Sequence, residues 1–166
     1  MKKTIIIAMC CLTVLFAGCK KEKPYERFIG EYEGSGIING TMSVLTFNQN
    51  FNDVAIPIKI SLSAGDADNQ VVMTYINEEL SETYTATGTI TNNDVDFDPV
   101  EVNTMIENYV VNASLDMSGS LTGTSLTLNG AVTGGGTYTD GGLQLPYTIQ
   151  GTMTGTVNKI VEEDFD

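Results

Sequence analysis

Apolar residues at every second position, recurring along most of the chain, constrain this sequence more than any other feature. In "VAIPIKISL", Val54, Ile56, Ile58, Ile60 and Leu62 fall on one side of an extended backbone, and Pro57, Lys59 and Ser61 on the other. "YVVNASLDM" sets Tyr109, Val111, Ala113, Leu115 and Met117 against Val110, Asn112, Ser114 and Asp116. The tail "LQLPYTIQGTMTGTV" puts Leu143, Leu145, Tyr147, Ile149, Gly151, Met153, Gly155 and Val157 on one face. Successive strand side chains point to opposite faces, so each run predicts a strand with one dry and one wet side. Helical periodicity is nearly absent, which makes the chain all-β and antiparallel.

Weaker strands are expected over 28–38, 41–48, 70–76, 83–91 and 121–129, and a brief helical turn over 102–108. Turn residues divide them: Asn39-Gly40, "GDADN" at 65–69, "NND" at 92–94, Asn129-Gly130 and "TDGG" at 139–142. Asn39-Gly40 is the strongest hairpin signal. About eight strands joined by short turns must bury one face, either as a closed up-and-down barrel or as a two-sheet β-sandwich. Glycines within strand patterns, among them Gly34, Gly36, Gly88, Gly123, Gly151 and Gly155, supply the sharp bends that closure needs. Pro57 and Pro146 count against closure unless bulges absorb them. The barrel is the favoured expectation.

The N-terminus has a different character. Met1-Lys2-Lys3 precedes the apolar run "TIIIAMCCLTVLF" and the small pair Ala17-Gly18, the three-part layout of a secretory signal. The run is shorter than the ~20 residues that span a bilayer, so a removable leader is expected over a transmembrane helix. "LFAGC", 15–19, resembles the lipobox of bacterial lipoprotein precursors, with Phe16 where that family usually has Leu. The resemblance implies that 1–18 is a signal peptide and that Cys19 becomes a diacylated, acylated new N-terminus. Buried acyl chains contribute ~0.8 kcal/mol per methylene, so several of them anchor durably. With Cys10 and Cys11 removed, no intramolecular disulfide could form. Residues 19–27 then read as lipidated cysteine and tether, and 28–166 as a single domain.

Loss of the leader's 18 residues would leave 148, and loss of Lys2 and Lys3 would take the net charge from −13 to −15. Such a surface repels phosphate backbones, so nucleic acid is excluded as a partner. "GEYEGSG", 30–36, and "SGSLTGTSLTLNG", 118–130, resemble segments of the calycin-like β-barrel lipoproteins of Bacteroidetes. That resemblance implies a lipocalin-like up-and-down barrel, although the lipocalin Gly-x-Trp signature is not met.

The chain has no His, which removes the commonest general base, Ser-His and Cys-His pairs, and most zinc sites. No Ser-x-x-Lys motif accompanies Lys59 or Lys159. A non-enzymatic protein with no required cofactor is expected. "NNDVDFDP" spaces Asp94, Asp96 and Asp98 like the opening of a calcium loop, but Pro99 stands at the turn glycine and Met105 at the closing glutamate. A strand with Val95 and Phe97 inside and the acids outside is the preferred reading. Tyr84, Tyr109, Met117, Tyr147 and Met153 are the residues expected to line a lumen for a small apolar ligand. The alternative is an acidic interaction module that docks on a protein or a glycan. No Asp follows Cys19, so the expected address is the cell envelope, on the outer membrane; the sequence sets no oligomeric state.

Overall fold

The computed structural model describes residues 22–77, 82–106 and 109–160. A 3-10 helix, η1 (Pro24–Arg27), precedes eight strands: β1 (Gly30–Val44), β2 (Phe47–Ala64), β3 (Gln70–Asn77), β4 (Glu82–Thr91), β5 (Asp94–Ile106), β6 (Tyr109–Thr122), β7 (Ser125–Asp140) and β8 (Leu143–Lys159). Each pairs antiparallel with the next, and β1 pairs with β8 from Tyr32 opposite Lys159 to Val44 opposite Tyr147. The result is the expected closed up-and-down barrel, not a sandwich.

Two expected turns are instead strand. Asn39-Gly40 lies inside β1, and the chain reverses later, at Leu45-Thr46, with Leu45 at φ 55°. Ile38 faces Val54 while Gly40 faces Phe51, so β2 fits Asn52 and Asp53 opposite the single Asn39. The Asn39 side-chain oxygen accepts the backbone N–H of Asp53, which sits at φ 53°. Asn39 thus braces a bulge rather than forming a hairpin. Asn129-Gly130 likewise lies within β7, and the turn is at Gly123-Thr124 with Gly123 at φ 61°. The expected strand over 121–129 therefore straddles that turn. Residues 102–106 belong to β5 and are not helical; 107–108 lie outside the described residues. The turns at 65–69, at Asn92-Asn93 and at Gly141-Gly142 are where their residue types place them.

The prolines do not interrupt the ladder, and bulges are only part of the reason. Pro24 opens η1, where no N–H is needed. Pro99 lies in a register shift of β5 between Phe97 and Val100. Pro57 pairs with Ser35 of β1 but has no partner on β3, because β2 meets β3 only over 60–64. Pro146 pairs with Thr137 of β7 and lies one residue beyond the last β1–β8 pair. Each of the three strand prolines lacks a ladder partner on at least one side, the kind of position in which a missing donor is tolerated.

Burial is concentrated at the end where β1 begins and β8 finishes. Phe28, Tyr32, Leu62, Val71, Leu126 and Val157 are fully enclosed there, with Ile58, Ile60, Met73, Val95, Phe97 and Leu128 beside them. Backbone hydrogen bonds stitch the loops of this end around its circumference: Ile90 to Asn69, Leu121 to Asn93, Lys159 to Thr124 and Ile160 to Glu31, all at 2.7–2.8 Å. η1 crosses the same end. Arg27 donates to Asn93 Oδ1 at 2.6 Å, Lys23 pairs with Asp68 at 2.9 Å, and Tyr25 packs on the core. Phe28 is the plug, and the buried Tyr32 hydroxyl donates to its carbonyl at 2.8 Å. Burial also pushes the Tyr32 phenol above its ordinary pKa.

Large side chains fill the space that interior glycines leave. A Cβ on Gly36 or Gly155 would come within 2.8 Å of Ile58 Cδ1, so one isoleucine occupies the notch of two strands. Tyr147 lies over Gly136, its hydroxyl donating to the Val110 carbonyl of β6 at 3.0 Å. A Cβ on Gly136 would meet that same carbonyl at 1.6 Å, backbone that cannot yield cheaply.

Truncating the plug, Phe28→Ala, is expected to destabilise the barrel by about 3–5 kcal/mol. Tyr32→Phe, which strands a buried carbonyl, is expected to cost about 1–3 kcal/mol. Chemical denaturation followed by circular dichroism reads both; a Phe28→Ala loss below that of Tyr32→Phe would show that Phe28 is not the plug.

Candidate functional site

The ring of strands is complete at the plugged end and parts at the other. β2 pairs with β3 only over 60–64, and β4 with β5 only over 88–91, whereas β1, β6, β7 and β8 are paired over most of their lengths. Among the described residues, the β3–β4 pair thus leaves stretches of β2 and β5 with no strand partner on that side, although β1 and β6 continue to pair with them on the other. Inside this level, partly buried apolar side chains cover the top of the packed core: Ile56, Tyr75, Tyr84, Val102, Leu115 and Met153. They come from six different strands and form an apolar platform facing the splayed half.

Tyr75 and Tyr84 are the platform's aromatic part. They are opposite each other in the β3–β4 ladder, with rings 6.4 Å apart and 19° from parallel. The Tyr84 hydroxyl donates to the Glu82 carboxylate, two residues along the same strand. Burial first, and then the Glu82 carboxylate, push the Tyr84 pKa up to about 12. A phenol held protonated beside apolar carbon is a hydrogen-bonding handle on a surface that otherwise offers only dispersion contacts.

The residues expected to line a lumen separate on this frame. Tyr84 and Met153 are on the platform. Met117 lies deeper, 7% exposed in the packed core. Tyr147 is inward and buried, with its hydroxyl on Val110. Tyr109 belongs to β6 and pairs with Tyr138, but its side chain lies outside the described residues. Ile56, Tyr75, Val102 and Leu115 had no separate signal; only the parting of the strands marks them off from ordinary core. Residues 1–21, which hold the expected leader and Cys19, also lie outside the described residues.

Asp94, Asp96 and Asp98 are exposed along the outer side of β5, while Val95 and Phe97 between them are buried at 1% and 3%. Among the described residues no three or more Asp, Glu or Cys side chains gather in a group that could hold a metal ion. Two clefts lie outside the barrel. A shallow, widely open depression of about 590 Å³ crosses β7, β8, β1 and β2, and a smaller cleft of about 280 Å³ lies beside η1 between Lys23, Arg27, Ile90 and Asn92. No helix among the described residues is long and apolar enough to cross a membrane.

No family model matches the chain, and no curated protein matches it. Among solved structures it is similar to the ywiB protein from Bacillus subtilis, at 8% identity over 79% of this chain and 94% of that one, with a TM-score of 0.29.

The raised Tyr84 pKa carries a sign for stability. The folded state holds this proton more tightly than the unfolded state, so its stabilisation is complete below the ordinary tyrosine pKa of about 10 and is lost as pH rises through about 12. Ultraviolet titration should show Tyr84→Phe removing a phenol that ionises near pH 12, and denaturation between pH 10 and 12 should show a shallower loss of stability in that variant. An unchanged titration curve at the high-pH end would contradict this assignment.

Proposed function

We propose that this chain is a lipid-anchored, non-enzymatic β-barrel protein of the cell envelope, held on the outer membrane through Cys19, that carries a small apolar molecule on its platform. The observation that carries the reading is the order of the N-terminus: cationic start, apolar run, small pair and Cys19, leading within a few residues into η1. The absence of His from the sequence removes the usual acid–base and nucleophilic machinery, in keeping with a binding role.

The geometry gives this reading an orientation. Residues 20–23 separate Cys19 from η1, and four residues reach at most roughly 14 Å when fully extended. An anchor at Cys19 would therefore hold the plugged end against the bilayer and turn the splayed half and its platform away from it. Phe28 and Tyr25 would close the barrel on the membrane side, so an apolar ligand would enter from the far side. Tyr84 and Met153 would be its first contacts, the phenol supplying polarity and the thioether an adaptable apolar surface.

Protein extracted from its own membranes in detergent should have an intact mass that lacks residues 1–18 and carries a diacylglyceryl group and an amide-linked acyl chain on Cys19. Cys19→Ser should release it into the soluble fraction. An intact leader or a free thiol would overturn the anchor. Native mass spectrometry should further show a retained apolar molecule that Tyr84→Ala with Met153→Ala loses; a bare barrel from native membranes would overturn the ligand while leaving the anchor standing.

A further inference from the structure

The outer groove lies on one stretch of sheet and is lined by uncharged polar side chains. It is a shallow, open surface on β1, β2, β7 and β8, whose polar side chains include Asn39, Thr41, Asn50, Thr133, Gln150 and Thr152. No lining residue is ionisable, in a chain of net charge −13. Registration makes the lining regular. Thr133 faces Gln150, Gln150 faces Thr41 and Thr41 faces Asn50, a single row across four strands. One step of the pleat away, Thr152 faces Asn39. Three of these side chains are held in place: Thr41 Oγ1 donates to Asn50 Oδ1 at 2.9 Å, and Asn39 Oδ1 accepts the Asp53 N–H at 2.8 Å. The bulge at Asp53 lies at the edge of this surface, where β2 shifts register against β1.

We infer that this groove binds an extended, uncharged oligosaccharide lying across the strands. Amides and hydroxyls each both donate and accept, which matches the hydroxyl groups of a neutral sugar and gives no preference to an anion or a cation. The row repeats at the interstrand spacing of about 4.8 Å, close to the advance of one pyranose unit in an extended glycan, so each strand can address one sugar. A protein partner is the poorer match. The cores of protein interfaces are enriched in aromatic residues, Met and Arg, and the groove contains none of these. The site is on the opposite face of the sheet from the platform, so its occupancy and that of the platform are independent.

Isothermal titration of the purified full chain with neutral cello-, manno-, xylo- and malto-oligosaccharides tests the inference, with oligogalacturonate as the charged comparison. At least one neutral series should bind, with affinity rising to about four sugar units and then levelling, since the row spans four strands. Raising the salt concentration should leave it unchanged. Gln150→Ala combined with Thr152→Ala should weaken binding at least tenfold without moving the thermal midpoint, because both side chains are exposed. Thr127→Ala, on the same outer face but outside the groove, should bind as the parent does. Failure of all four neutral hexasaccharides to bind at millimolar concentration, equal binding of oligogalacturonate, or unaltered affinity in the double variant would each overturn it.

Discussion

Pairing of the first strand with the last is the constraint on which the rest of this molecule depends. Once β1 takes β8 as its second neighbour, the dry faces of eight strands converge on a common axis, and the space between them must be filled by side chains or left for a ligand. At one end the filling is complete. Glycines draw the backbones together, and Ile58 occupies the notch that Gly36 and Gly155 leave. Phe28, which directly follows η1, supplies what the strands cannot, a fully buried aromatic ring at the end of the barrel. The Tyr32 hydroxyl satisfies the carbonyl that this ring carries inward, so the plug costs no unpaired polar group.

The same strands do different work farther along. β7, β8, β1 and β2 continue as a tall, paired wall, whereas β3 and β4 are short and leave β2 and β5 without a partner on one side above them among the described residues. The apolar side chains at that level are only partly buried, and Tyr75 and Tyr84 stack there instead of disappearing into the core. Stability and accessibility are thus separated along the barrel axis rather than between domains. The arrangement places the stitched loops and the best-packed residues together, and leaves the exposed half free of any structural duty toward the plug.

Much of this was legible in the residues. The alternation in 54–62 and 143–157 identified the inward faces over 56–62 and 145–157, because a one-residue slip would have turned those apolar side chains outward, whereas Val54 and Leu143 are exposed. The hairpin at Asn39-Gly40 failed for a physical reason. A two-residue preference is worth little beside a long ladder, and β1 runs through that point because β8 continues to pair with it as far as Val44. Asn39 kept its turn-like habit of binding backbone, but spent it on the neighbouring strand at Asp53. Pro57 looked like an obstacle to closure only while β2 was assumed to have a partner on both sides throughout. The platform could not be read in advance, since Ile56 and Leu115 become a surface only when strands distant in sequence stop pairing. Thr133, Gln150, Thr41 and Asn50 carry no motif; three separate registers bring them into one row.

The unpartnered length of β2 has a further consequence. Among the described residues no strand pairs with Phe47–Lys59 on the β3 side, and exposed apolar side chains lie along this stretch, Phe47 at 78% and Val54 at 45%. A flat, bare border of that kind is a template on which another polypeptide could add itself and start a fibril. Three residues spoil it: Asp53 kinks the border out of plane, Pro57 deletes a donor from the middle of it, and Lys59 sets a positive charge at its root. The chain can therefore keep an open flank beside its platform without presenting an unguarded template for strand addition.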